Sequence, residues 1–398
     1  MGIDVLTAGE GGVLAVAYGE HVIAGNLIVN RTSEPRAMLV ALGEGVWDAA
    51  VKVWYRGGEL PTTDFNFHPG AQAASLSDPV QGIDPLFPGA LTYSHTAYIA
   101  VRLPSSEEDP DPSQLIGRYR TRLVDDFDMN GSPVGTGYSS NPARQLIDMM
   151  INDGKISPSR INWASWYNWK IYCDSVIEWN DGKSVRQIKR FEAHVPFTGP
   201  STVVDALNMY TDLTASYWQD DGATISFFPI ESRSSVATLD ESNIVSGSLN
   251  HFRVDARQQP TRLKLQFRDL DSEFLAPATW TAKDEEGIEQ RGVIDAPGSY
   301  SFGAMYYSQA QRLAKYWLRR AGGSAERIEC ASTGQMVHIL PGDLVTLNHS
   351  AFTASLTCHV METEDEAAGA DNRRFLLAPW ESIYFDQDHE VIPASLTV

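Results

Sequence analysis

The first hundred residues run as short apolar stretches cut by turn formers: GVLAVAYGE, HVIAGNLIVN, AMLVALG, AAVKVWYRGGELP and TAYIAVRLP. Stretches of this length bounded by Gly, Asn and Pro predict strands, and RGGE at 56–59 predicts a hairpin turn. PSSEEDPDPS, 104–113, is acidic and Pro-rich, as a solvated loop would be. The pattern predicts an N-terminal β domain over 1–134 that includes this loop.

The period changes over 135–246. NPARQLIDMMINDGKI, 141–156, predicts a short helix, with Asn141 as N-cap and Pro142 at the first helical position, where a missing N–H costs nothing. Leu146, Ile147, Met149, Met150 and Ile151 make a stripe too wide for a surface helix, so this helix must be docked. Asn152 or Gly154 is expected to supply a left-handed cap. NWASWYNWKIYCDSVIEW follows, and the turn NDGK folds VIEW against SVRQIKRFEAHV. A second helix starts near PSTVVDALNMYTDL, where Thr202 and Asp205 fit a capping box and Val204, Leu207 and Tyr210 recur at helical spacing. SYWQ, DDG and ATISFFP predict another hairpin. This mixture reads as an α+β domain.

From 247 to 398 the pattern returns to strands. RLKLQFRDL alternates, with Leu263, Leu265 and Phe267 on one face. One helix interrupts near 304–321, with Ala310, Leu313, Ala314 and Trp317 on one side, Arg319 and Arg320 in its last turn and Gly322 and Gly323 after it. ERIECAS, MVHILPGDLVTLN, ASLTCHVMET and RRFLLAPWES complete a small barrel or sandwich. The fold class that follows is β-rich α+β and multi-domain, with small β-barrel or sandwich domains flanking an α+β domain.

Composition narrows the functional classes. A 398-residue chain with 43% hydrophobic and 21% charged residues can bury several cores and is not disordered. Its formal charge of −20, from 51 acidic and 31 basic residues, disfavours attraction to nucleic acid or an anionic membrane, though it suits a surface that DNA slides past. No apolar run approaches the roughly 18 residues of a membrane span, and MGIDVLTAGEGG lacks the basic and apolar parts of a signal peptide, so synthesis in the cytoplasm is expected. Cys173, Cys330 and Cys358 show no C-x-x-C spacing and read as reduced, buried thiols; none of the nine histidines falls in H-E-x-x-H.

Searching by mechanism assigns no catalytic or cofactor residue. G-x-S-x-G and G-x-x-x-x-G-K-[ST] are absent, and AGEGGVL, 8–14, has Leu14 where a dinucleotide loop needs its third Gly. DFDMNG offers Asp126, Asp128 and Asn130 at the alternate positions of a calcium loop, but Gly137 stands where the bidentate Glu belongs. A solvated hairpin turn is therefore the favoured reading, and no metal is assigned. Glu107 with Glu108, and Glu362, Glu364, Asp365 and Glu366, read as solvated charge runs rather than glycosidase carboxylates. Trp163, Trp166, Tyr167, Trp169 and Tyr172 form a dense aromatic cluster, open between core, subunit interface and sugar stacking.

Taken in order, four segments resemble the tail hub proteins of long-tailed bacteriophages, in particular the hub portion of the central tail-tip protein of lambda-like phages and its counterparts in gene-transfer particles. They are AVAYGEHVIAGNLI, NPARQLIDMMINDGKI (which lacks the Trp usual near the helix start), TVVDALNMYTDLTASYWQDDGATISFFP, and the series from RLKLQFRD through QAQRLAKYWL to LPGDLVTL. The resemblance implies a structural, non-enzymatic virion protein at the tail tip. It implies a homotrimer joining the tail tube or distal tail ring to a tip fibre or spike, next to the tape-measure protein. The same resemblance implies that DNA passes through it without specific binding, that a gate opens on host contact, and that receptor recognition is left to other chains. The alternatives are a phage-associated glycan hydrolase and a carbohydrate-binding tail module.

Overall fold

The computed structural model describes residues 14–71, 83, 94–103, 111–180, 184–199, 201–230, 234–255, 259–297, 300–323, 326–365 and 372–380. Three main hydrophobic cores organise them. The fold is β-rich α+β, as the sequence pattern predicts.

The N-terminal unit is a sandwich of two antiparallel four-stranded sheets. One runs in the order Glu20–Ile23, Leu115–Arg122, Trp47–Tyr55, Gly58–Glu59, the other Asn26–Arg31, Ala37–Glu44, Thr96–Arg102, Phe65–His68. Met38, Val40 and Leu42 meet Ile23, Val53 and Tyr119 in the shared core. Ala37 and Leu39 on the opposite face are also buried, beneath Ile83, which explains why AMLVAL is continuously apolar rather than alternating. At the RGGE turn, Arg56 and Gly57 both take positive φ (51° and 78°), the geometry a two-residue hairpin needs.

The central unit holds helices α1 (Pro142–Asp148), α2 (Trp163–Asp174) and α3 (Val203–Leu213). Beside them lie the hairpins Val124–Phe127 with Pro133–Gly137, Val176–Asn180 with Val185–Lys189, and Ser216–Asp220 with Ile225–Pro229. The capping box forms with both arms: Thr202 Oγ1 accepts from the Asp205 amide (3.1 Å) and the Asp205 carboxylate from the Thr202 amide (2.9 Å). Tyr210 and Leu207 face inward from α3, whereas Val204 of the predicted stripe is exposed.

The stretch after 247 departs from the expected division. Strands Pro277–Lys283, Arg262–Asp269 and Tyr300–Met305 form a separate sheet in that order, the last pair parallel. After the short α4 (Glu285–Arg291), α5 (Tyr307–Gly323) packs on this sheet. Leu263, Leu265, Phe267, Ala310, Leu313 and Ala314 are buried as their periods predict, but they share a core with α1, α2 and α3 rather than with the C-terminal strands. Alternation identified the buried face and not what lies against it.

The C-terminal unit is a six-stranded half-barrel in the order Ala237–Asp240, Leu344–Asn348, Leu356–Asp365, Asn372–Pro379, Glu326–Thr333, Asn250–Arg253. Only its first pair is parallel. Leu239, Ile328, Val345, Val360 and Phe375 fill its core.

Candidate functional site

A network of buried polar groups surrounds α1, where the N-terminal unit meets the central one. Asn141 caps the helix as expected: its Oδ1 accepts from the amides of Ala143 (2.9 Å) and Arg144 (3.3 Å). Its Nδ2 donates to the Lys170 carbonyl at 3.0 Å, which ties α1 to α2. Leu146, Ile147 and Met150 are fully buried and Met149 nearly so. Gln145 lies among them with every polar atom paired: Nε2 donates to the carbonyls of Ser139 (2.8 Å) and Ala193 (2.9 Å), and Oε1 accepts from the Tyr210 hydroxyl (3.1 Å). A satisfied buried amide of this kind fixes one arrangement of the surrounding segments.

Helix α1 runs on into a π turn, Met149–Asp153, and its end corrects the expected cap. Gly154 is right-handed at φ −77°, and the left-handed residue is Lys155, φ 55°. The Ile156 amide reaches back to the Met150 carbonyl at 2.9 Å, one residue wider than the six-to-one bond of a Schellman ending, as the π turn before it requires. Asn152 is committed elsewhere, donating to Asp148 at 2.8 Å. Gly154 serves close approach instead: a Cβ there would press on the Met150 carbonyl and on Val203 of α3.

Beside this turn a charged group is closed off from solvent. Asp148 accepts from the Tyr18 hydroxyl at 2.9 Å and from Arg122 Nε at 3.0 Å, while Arg122 Nη1 meets Asp153 at 2.9 Å and the guanidinium lies 5.4 Å from the Tyr18 ring centre. Burial raises the Asp148 carboxyl above its usual range against the pull of Arg122. Burial, and then the Asp148 charge, hold the Tyr18 hydroxyl protonated far above its ordinary range. Tyr18 also belongs to the strand Val16–Tyr18, which pairs antiparallel with Val195–Phe197. The cluster therefore joins three separated stretches, with every carboxylate held by a cation or a hydroxyl.

A second polar seam adjoins it. His194 Nδ1 accepts from the Glu20 amide at 2.8 Å, and His21 Nε2 donates to the Tyr18 carbonyl at 2.9 Å. The His194 carbonyl accepts from the Ala304 amide at 3.0 Å, which adds the three-stranded sheet to the junction. Gly19 takes φ 87° directly against Ala193 and His194, where any Cβ would collide. Burial depresses both imidazoles, His21 to about 4 and His194 to about 3.

The residues singled out by sequence lie elsewhere and do not converge. Asp126 faces Lys170 Nζ at 2.5 Å and Arg144 Nε at 3.7 Å. Asp128 is turned onto its own loop, accepting from the amides of Asn130 (2.8 Å) and Ser132 (2.9 Å), and Asn130 is exposed. Among the described residues no group of three His, Cys, Asp or Glu side chains is placed to hold a metal ion. Trp166 and Trp169 are fully buried in the central core, where Trp166 Nε1 donates to the Ala143 carbonyl (2.8 Å) and Trp169 stacks on Phe227 (5.0 Å). Trp163, Tyr167 and Tyr172 pack partly buried against the same core.

Glu364 and Asp365 stand opposite Arg374 and Arg373 across a strand pair, and Asp365 meets Arg373 at 3.0 Å. Glu107, Glu108, Glu366 and residues 8–13 of AGEGGVL lie outside the described residues. All three cysteines are free and buried; burial pushes the Cys330 and Cys358 thiols up to about 12.

LPGD proves to be a joint. Gly342, φ 97°, lies against the Tyr217 ring, Asp343 accepts from the Leu340 amide at 2.9 Å, and Gln219 donates to the Pro341 carbonyl at 2.7 Å. The turn thus seats the 216–229 hairpin on the C-terminal half-barrel. Sequence reasoning missed Arg122, His21 and His194, because single polar residues inside β runs carry no spacing signal.

Residues 202–362 match the family model described as putative phage tail protein. No curated protein matches the chain in sequence. Among solved structures, the chain is similar to one from the virion of a native gene transfer agent particle, at 17% identity and TM-score 0.71, covering 99% of this chain and 90% of that one. A tail protein from Neisseria meningitidis MC58 aligns at 10% identity and TM-score 0.38, covering 95% and 99% of the two chains. The 43 kDa tail protein of prophage MuSo2 from Shewanella oneidensis aligns at 10% identity and TM-score 0.36, covering 94% and 100%. The 202–362 stretch thus matches a phage tail protein family, and the β-rich fold of the whole chain is similar to that of a gene transfer agent virion chain.

Proposed function

We propose that the chain is a tail hub: a homotrimer that joins the tail tube or distal tail ring to a tip fibre or spike and contributes to the channel through which DNA leaves. The observation that carries this reading is the match, over nearly the whole length of both chains, to the fold of a gene transfer agent virion chain. Two features support it. The buried polar groups around α1, Tyr18 and His194 join the N-terminal unit to the central one. The net charge of −20 would let DNA pass a lumen without adhering.

The working surfaces in this reading belong to the three units jointly, with the helix at 142–154 as the peg that fixes the central unit against the N-terminal one. The hub sits at the tail tip, is made in the host cytoplasm, and adjoins the tape-measure protein. It performs no turnover and needs no cofactor or metal. Trp166 and Trp169 turn their faces into the core, which removes two of the five aromatic residues that the carbohydrate-binding alternative would use.

The test is oligomeric mass by light scattering combined with localisation of the chain in particles by electron microscopy. A trimer seated beneath a sixfold ring is expected. A monomer, or a density peripheral to the tail axis, would overturn the hub. Clearing of peptidoglycan or capsule in a zymogram would favour the hydrolase.

A further inference from the structure

We propose that the seam built around His21 and His194 is an acid-sensitive latch that releases the N-terminal sandwich from the central unit. The inference rests on the geometry within one chain and does not depend on the hub reading.

Both rings are buried, at 3% and 4% exposure, and their hydrogen bonds fix where each proton sits. The Glu20 amide must donate, so His194 Nδ1 must accept, and the neutral ring carries its proton on Nε2. That buried Nε2 has no partner. Protonating His194 would set an N–H against the Glu20 N–H, which turns the bond into a repulsion. The Tyr18 carbonyl can only accept, so His21 carries its proton on Nε2 and a second proton would enter at Nδ1.

The surroundings give such protons no counter-charge. His21 faces Arg268 from the three-stranded sheet, and His194 faces His21 and Arg118. Tyr119 lies opposite His21 on the neighbouring strand and is itself buried. Glu20, the carboxylate beside the seam, is held by Arg118 at 2.6 Å, and Arg118 also donates to the Leu270 carbonyl at 3.2 Å. Glu192 accepts from the Ser140 hydroxyl at 2.6 Å. Tyr138 and Tyr306, near Glu20 and Glu192, are held protonated, chiefly by burial. Asp271 acts on the Tyr306 hydroxyl, after burial, Glu192 and Glu20.

The sign follows. Both imidazoles have depressed affinity for protons in the fold, so their contribution is complete above the ordinary histidine value of 6.5 and is lost as pH falls towards about 4 and about 3. Loss of the seam frees the strands on either side of it, Glu20–Ile23 and Val195–Phe197, and the Ala304 bond.

Hydrogen–deuterium exchange, corrected for intrinsic rates, is the test. Between about pH 7 and about pH 5, peptides covering 15–24, 193–197 and 300–305 should lose protection about tenfold, while the 326–379 strands keep theirs. His194→Asn retains an acceptor near the Nδ1 position, and His21→Gln retains the donor to Tyr18; the double variant should be protected at about pH 7 and lose its acid response. Unchanged wild-type protection, an equal loss in the C-terminal strands, or an acid response surviving in the double variant each overturns the latch. If the double variant does not fold, carbon-13 histidine titration of the wild type decides. Two imidazoles that take up protons only as protection falls support the latch, and nine that all titrate near 6.5 refute it.

Discussion

The central core meets its two β neighbours in different ways. Towards the N-terminal sandwich it offers a shared strand pair, a guanidinium between buried Asp148 and exposed Asp153, and two buried neutral imidazoles. Towards the C-terminal half-barrel it offers the 216–229 hairpin, with Tyr217 on Gly342 and Gln219 on the Pro341 carbonyl. The first junction depends on a buried Asp148–Arg122 pair balanced at the protein's edge by Asp153, the second on one glycine and one side-chain amide. Buried ion pairs seldom add net stability, but losing one partner is expensive. The N-terminal junction should therefore fail abruptly, while the C-terminal one should yield by degrees.

The largest expected effect comes from the peg itself. Met150→Asp places a charge in the fully buried core against α1 and should cost about 4 kcal/mol or more, read as lost folding or assembly in denaturant titration and light scattering. A mutant that unfolds like the wild type would break the docked-helix account. Arg122→Met leaves Asp148 and Asp153 facing Tyr18 without their cation and should cost about 3 kcal/mol at neutral pH. Part of that loss should return on acidification, since the Asp148 carboxyl already holds its proton above the usual range; stability that falls further in acid would contradict it.

At the other junction, Gly342→Val meets both positive φ and the Tyr217 ring, and should cost about 2 kcal/mol. Its exchange signature should stay within 216–229 and 336–348; spread to the N-terminal strands would erase the contrast between junctions. The smallest effect should come from Asp212, whose carboxyl burial lifts to about 6. Its contribution is complete below 3.8 and is lost as pH rises through about 6, opposite in sign to the histidines. Asp212→Asn should therefore stabilise by about 1 kcal/mol near neutrality and flatten that part of the pH profile, as thermal unfolding across pH would show.

What could be read beforehand follows the range of each interaction. The Asn141 cap, the capping box of Thr202 and Asp205, the RGGE hairpin and the inward faces of Leu263, Leu265 and Phe267 depend on neighbours within a few residues, and these were legible. The left-handed residue after α1 was misplaced because the Asp148 contact to Asn152 and the closeness of Val203 to Gly154 belong to tertiary structure. In the aromatic cluster Trp166 and Trp169 are core and the other three only partly buried, a division set by partners such as Phe227 that lie far along the chain. Arg122 reaches Asp148 and Asp153 across 26 and 31 positions, and His194 reaches Glu20 across 174, distances no periodicity spans.

The pairing of Val16–Tyr18 with Val195–Phe197 also bears on synthesis. At about 5–20 residues per second, a ribosome needs roughly 9–36 s to travel from Tyr18 to Phe197. For that interval the strand has no partner, although the Asp148 carboxylate that Tyr18 meets is made earlier. That first strand must wait unpaired beside the nascent sandwich, and chaperone occupancy of it should fall only as Phe197 leaves the exit tunnel.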